Sequence, residues 1–222
     1  MEERIRSLAE EALRYLGAAR ANRETHRMAE ETAELLTKKL RPQYTWRAFR
    51  LQREAGGFLM LEAGIVLGGT LAERMLADCE TAVLLTCTLG AAFDRMLQEW
   101  QARDMARAAV LDACGSAFTE TGCDEAGQEI ASRFAGQFLT DRFSPGYGDL
   151  PLTLQGEILR ALDATRRLGV TANESCLLIP CKSVTAVIGL SDRMQPARIR
   201  GCGLCGMKEN CKYRKKGETC GV

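Results

Sequence analysis

Thr81-Ala-Val-Leu-Leu-Thr-Cys-Thr-Leu89 carries no charge and is built from valine, leucine and threonine, the composition of a buried strand. Ser183-Val-Thr-Ala-Val-Ile-Gly-Leu190 has the same character far downstream. Cys176 to Ile179 is another strand candidate, joined to it by a hairpin-like Pro180-Cys-Lys182. Upstream, Tyr44 to Leu51 reads as extended. Phe58 to Leu67 is apolar but broken by Gly64 and flanked by Gly56, Gly57, Gly68 and Gly69, which suits short strands.

Helical spacing fills the rest. Ile5, Leu8, Ala12, Leu13 and Leu16 mark an amphipathic helix from Glu2 to Leu16, stopped by Gly17, and a second runs from about Thr25 to Leu40 before Pro42. Thr70-x-x-Glu73 predicts a capping box opening a helix after Gly69. Ala91 to Trp100 and Asp104 to about Phe134 are helical, with Met105, Ala109, Val110, Ala113, Cys114, Ala117 and Phe118 on one face. Gly122 and Gly127 weaken the longer run and predict a kink or a ligand-facing segment there. A helix from Thr153 to about Leu168, closed by Gly169, completes the set. Strands and helices mix without βαβ alternation, so the expected class is α+β.

The 222 residues suit one large domain, or one domain with a small appendage. With 46% hydrophobic and 27% charged residues the chain reads as an ordinary soluble protein. A net charge of +1 gives no field for a polyanion, which argues against nucleic acid as a partner. The first residues are charged and helix-periodic, unlike an export signal, and the longest apolar runs, such as Ala82 to Leu85, are too short to cross a bilayer. A cytoplasmic protein with no membrane partner is expected. Cys79, Cys87, Cys114, Cys123, Cys176 and Cys181 lie in apolar or small-residue contexts and are expected as reduced core thiols.

No metalloprotease, P-loop, nucleophile-elbow or GxGxxG pattern occurs, and the lone His26 falls on a polar helix face. Arg142-Phe-Ser-Pro-Gly-Tyr-Gly-Asp-Leu-Pro151 is more informative. An arginine, an aromatic hydroxyl and glycines with bare backbone converge in one loop. Such a loop either holds a carboxylate in the guanidinium fork or is a tight structural turn.

Arg142, Pro145, Gly146 and Tyr147 match an Arg-x-x-Pro-Gly-Tyr signature, and the loop resembles that of the S-adenosylmethionine-binding activation domain of cobalamin-dependent methionine synthase. Glu174-Ser175, Pro180 and Ser183-Val184 match a downstream segment of that family, and Glu120 falls where it places a ligand-contacting glutamate. Thr88-Leu-Gly90 and Lys182 to Gly189 are similar to short, free-standing members. The resemblance spans roughly Thr81 to Leu190. It implies a twisted, mainly antiparallel sheet with flanking helices. It also implies S-adenosylmethionine binding through Glu120, Arg142, Phe143, Pro145, Gly146 and Tyr147, with no catalytic acid or base.

The implied role is a stand-alone reactivation module that supports reductive remethylation of cob(II)alamin. No Asp-x-His-x-x-Gly motif occurs, so the cobalamin belongs to the partner, a cobalamin-dependent methionine synthase lacking its own reactivation domain. The alternative is a corrinoid-protein chaperone or metal-dependent interaction module that does not bind S-adenosylmethionine. Two departures stand out. The family's further tyrosine is replaced by Gly189-Leu-Ser-Asp-Arg193, and its N-terminal aspartate has no match.

Cys202-x2-Cys205-x5-Cys211-x8-Cys220 ends the chain in a glycine- and lysine-rich segment with almost nothing apolar to pack. Four thiolates on one iron–sulfur cluster or zinc ion would order it, against a reduced tail or adventitious disulfides. Iron–sulfur is preferred, because the spacing lacks paired CxxC motifs and the implied partner needs a low-potential electron donor. Lys208, Lys212, Arg214, Lys215 and Lys216 would offset the cluster's charge or dock an acidic redox partner. The expected organisation is therefore a helical and short-strand part over 1–80, a ligand-binding core over 81–195 within the same domain, and a Cys-rich tail over 196–222.

Overall fold

The structure, a computed structural model, describes residues 2–18 and 22–195. In chain order the elements are α1 (Glu2–Tyr15), α2 (Arg23–Lys39), β1 (Gln43–Glu54), β2 (Gly57–Met60), β3 (Ile65–Gly68), α3 (Thr70–Leu76), β4 (Cys79–Thr88), α4 (Ala91–Gln101), α5 (Met105–Arg133), β5 (Phe138–Leu139), α6 (Leu154–Ala161), α7 (Ala164–Leu168), β6 (Thr171–Ala172), β7 (Leu178–Ile179) and β8 (Ser183–Ser191). The class is α+β, as the mixed pattern predicts.

Six strands form one antiparallel sheet in the order β3-β2-β1-β4-β8-β5. The two runs that mark the fold in the sequence, β4 and β8, lie side by side near its middle, with Leu84 opposite Val187 and Thr88 opposite Ser183. Both faces are covered, which is why β4 shows no polar alternation. One face, with Phe49, Leu84 and Val187, packs on Met75 of α3, Ile158 of α6 and Ala164 of α7. The other, with Val83, Leu85 and Ile188, packs on Cys123, Ala126 and Ile130 of α5. The first half of α5 then serves a separate apolar cluster with α1, α2 and α4 through Leu13, Ala33, Phe93, Cys114 and Phe118.

α5 runs unbroken past Gly122 and Gly127. The bare Gly122 backbone lets β4 and Pro42 approach, since a Cβ there would lie 2.8 Å from Cys87 Sγ and overlap the Pro42 ring. Close packing therefore replaces the expected kink.

Four local expectations need correction. The capping box does not form, because Thr70 is already the first helical residue behind Gly69. The donors at the start of α3 go instead to Asp149, which accepts from Thr70 N at 2.5 Å, Thr70 Oγ1 at 2.8 Å and Leu71 N at 2.9 Å, while Glu73 turns to Arg53. The 153–168 segment is two helices, separated at Asp163, which adopts a left-handed conformation that aspartate tolerates. Pro180 to Lys182 is no hairpin turn: β7 pairs with β6, Cys181 N–H donates to Asp94, and the Lys182 carbonyl accepts from Leu89 N. Cys181 is exposed and Cys176 half-buried, so only the other four of the six expected core thiols are buried.

Candidate ligand site

Arg142 reaches α5 rather than solvent. Its Nη1 donates to Asp124 Oδ1 at 2.6 Å and its Nη2 to Glu120 Oε2 at 2.9 Å, and the side chain is only 16% exposed. Burial pulls the guanidinium pKa down, but the Asp124 hydrogen bond and the charges of Asp124 and Glu120 outweigh it, so the net shift is upward. Two of the five N–H donors are engaged among the described residues, leaving the others for a ligand anion.

The strand-like step after Arg142 explains its direction. Phe143 pairs with Val187 through both backbone groups and buries its ring beneath the sheet, so the neighbouring Arg142 side chain points to the opposite face, towards α5. Phe143 is therefore an anchor for the loop, with its side chain in the core. Pro145 is buried as well. Gly146 turns the chain at φ +90°, a region glycine enters without strain, and its N–H donates to the Leu150 carbonyl. Tyr147 projects outward at 61% exposure.

The structure thus brings Arg142 and Glu120 together and sets Tyr147 on the rim of the same loop. It also adds residues that the motif does not contain. Asp112, Ser116, Glu120 and Asp124 form an i, i+4 stripe along α5, and Lys182 answers its other end, with Nζ 2.9 Å from Asp112 Oδ1 and 2.8 Å from Ser116 Oγ. That spacing is readable in the sequence once the helix is assigned, but its cationic partners come from distant segments. Tyr15, at the end of α1, also lies in this field: burial first, then the charges of Glu120 and Glu11, push its hydroxyl up.

Beneath the stripe, a hydrogen bond to Cys87, together with burial, pushes the Cys123 thiol up and keeps it neutral. Burial and a 3.0 Å bond to Asp94 likewise push the Cys181 thiol up to about 12. Neither is an activated nucleophile.

With the sheet, the α5 stripe and the loop in place, the architecture can be compared with solved structures. The fold is that of a MetH reactivation domain. The crystal structure of the MetH reactivation domain bound to AdoHcy superposes with a TM-score of 0.61 at 14% identity, covering 89% of this chain and 74% of that one. No protein-family model and no curated protein matches the sequence. Among the described residues, no helix is long and apolar enough to cross a membrane. The four tail cysteines, Cys202, Cys205, Cys211 and Cys220, lie outside the described residues.

Proposed function

We propose that the chain binds S-adenosylmethionine and supports reductive remethylation of cob(II)alamin held by a separate cobalamin-dependent methionine synthase without its own reactivation domain. The observation that carries this reading is the half-buried Arg142 guanidinium, fixed by two carboxylates at the foot of the Pro145–Tyr147 turn with donors to spare. A zwitterionic amino-acid end suits that mixture of charge. Its carboxylate would take the remaining Arg142 donors, while its ammonium or the sulfonium would lie against Glu120. The bound ligand supplies an electrophilic methyl group, and the chain supplies position and electrostatics.

In this reading residues 1–80 and 81–195 act as one domain in the cytoplasm. The tail over 196–222 holds an iron–sulfur cluster or zinc on its four cysteines and meets a low-potential electron donor. The test is direct. Adding the chain, S-adenosylmethionine and a reductant to the cob(II)alamin form of such an enzyme should restore its activity. Equal recovery without the chain would overturn the proposal.

The pairing of Arg142 with both Glu120 and Asp124 also favours a second reading, in which that charge is wholly structural and the chain is a corrinoid-protein chaperone or interaction module. Calorimetry decides between them, because that module shows no heat of binding at millimolar S-adenosylmethionine.

A further inference from the structure

Arg47 and Phe49 are two residues apart on β1, so both side chains stand on the sheet face that α6 and α7 cover, the face away from Arg142. The Arg47 guanidinium lies over the Phe49 ring, 5.0 Å from its centroid. Beside it opens a cleft of about 490 Å³, bounded by Glu62 and Ile65 at the β2–β3 turn and by Glu157 and Arg160 of α6. Its charges do not cancel within the fold. Glu62 is taken by Arg50, which donates from its backbone N–H at 3.1 Å and from Nε at 2.8 Å, and that side-chain bond holds the Glu62 carboxyl below its usual range. Arg47 and Arg160 have no carboxylate partner among the described residues, and Glu157 has no cation. Two unanswered guanidiniums and one unanswered carboxylate therefore face the same cleft. Its floor adds little apolar surface, because Phe49 and Ile65 are each 2% exposed.

We infer that this cleft binds a phosphate monoester of a small hydroxylated molecule, with Arg47 and Arg160 on the phosphate and Glu157 on the hydroxyls. The inference goes beyond the S-adenosylmethionine reading and does not depend on it. A guanidinium fork donates to two phosphate oxygens at once, and two forks answer a dianion. A carboxylate ligand, with a single charge, would leave one fork unanswered. Glu157 accepts only, so the rest of the ligand must donate hydrogen bonds, as sugar hydroxyls do. Charged walls over a thin apolar floor give an aromatic or aliphatic body little to gain from burial. The volume lies in the range of small-ligand clefts, which leaves space for a polar body beside the phosphate. The Phe49 ring beneath Arg47 also holds that guanidinium in place, so less side-chain freedom is lost when an anion arrives.

Calorimetry on the full chain tests the site, in about 0.15 M salt to screen diffuse attraction. The probes are ribose 5-phosphate, glycerol 3-phosphate, ribose and inorganic phosphate, each alone. At least one ester should bind saturably and at least about fivefold more tightly than inorganic phosphate, and ribose should give no heat. Arg47→Gln and Arg160→Gln, both at exposed positions, should keep the fold by thermal unfolding and each weaken the ester about tenfold. Glu157→Gln should weaken the ester about fivefold and leave inorganic phosphate unchanged. Arg6→Gln, on the exposed surface of α1 and outside the cleft, should change nothing. No saturable binding of either ester overturns the site, and so does an equal loss in Arg6→Gln, which would mark a diffuse charge effect. Equal affinity for ester and inorganic phosphate leaves an adventitious ion only and overturns it too. S-adenosylmethionine binding should be the same in wild type and Arg47→Gln, so failure of this site leaves the functional reading standing, and a loss there overturns the independence of the two.

Discussion

Arg142→Ala removes two charge-assisted bonds at once, to Asp124 at 2.6 Å and Glu120 at 2.9 Å. Buried bonds of this class contribute roughly 1.5–3 kcal/mol each. Glu120 and Asp124 are 42% and 63% exposed, however, and solvent screening brings each bond to about 1 kcal/mol. Truncation also leaves two carboxylates one helical turn apart without a cation, a further ~0.2–0.5 kcal/mol. The total is about 2–3 kcal/mol, or a fall of roughly 4–12 °C in Tm for a chain of this size. Glu120→Gln should cost about 1 kcal/mol, and the double variant less than the sum of the two, by about 0.5–1 kcal/mol. Urea unfolding of the four proteins measures this coupling. Additivity to within about 0.3 kcal/mol would show that the pair does not hold in solution and would refute the reasoning. Calorimetry on the same proteins addresses the ligand. Arg142→Ala should weaken S-adenosylmethionine about ten- to a hundredfold, Glu120→Gln less, and Arg142→Lys should rescue part of the loss, because lysine keeps the charge without the fork.

The Leu71 and Thr70 donors hold the Asp149 carboxyl down at about 2, against an ordinary 3.8. A depressed folded pKa means that its stabilisation is complete above the unfolded value and lost as pH falls through about 2. Asp149→Asn should therefore be less stable at neutral pH and lack that loss below pH 4; parallel wild-type and variant pH profiles would contradict it. Gly115→Ala should overlap the Phe93 ring and force α4 away from α5, costing about 1–3 kcal/mol by chemical unfolding, and an unchanged midpoint would mean that the helix pair yields freely. Protein purified without oxygen should carry metal on Cys202, Cys205, Cys211 and Cys220, with iron by elemental analysis and a charge-transfer absorption. Zinc would reverse the iron–sulfur preference, and the absence of metal would end the proposal.

The elements legible in the sequence are those whose signal is local and long. β4 and β8 announce themselves as uncharged β-branched runs, and α5 as a sustained helical period. What escaped was settled by distant segments. Thr70 and Glu73 have a capping-box spacing, yet the donor groups they would serve are met by Asp149, 79 residues away from Thr70. Pro180 reads as a turn residue, but β7 finds β6 instead of β8. At the site, Arg142 and Glu120 are readable because the motif and the helix name them. Lys182 and Tyr15 were not, since a lysine before a strand and a tyrosine ending a helix acquire meaning only from what lies opposite them.

The loop bearing Tyr147 is pinned at two points to two different layers of the molecule, by Arg142 to α5 and by Asp149 to the start of α3. Between those pins it also bonds to itself, Tyr147 N to Ser144 O and Leu150 N to Tyr147 O. A segment held this way has already lost most of its backbone freedom on folding. Association with a ligand or partner then need not freeze it, and each rotamer-rich side chain or loop residue left to be ordered would cost about 0.5–1.5 kcal/mol of affinity. The rim of the site behaves as a rigid template, so encounters with it are governed by how well the incoming surface already fits.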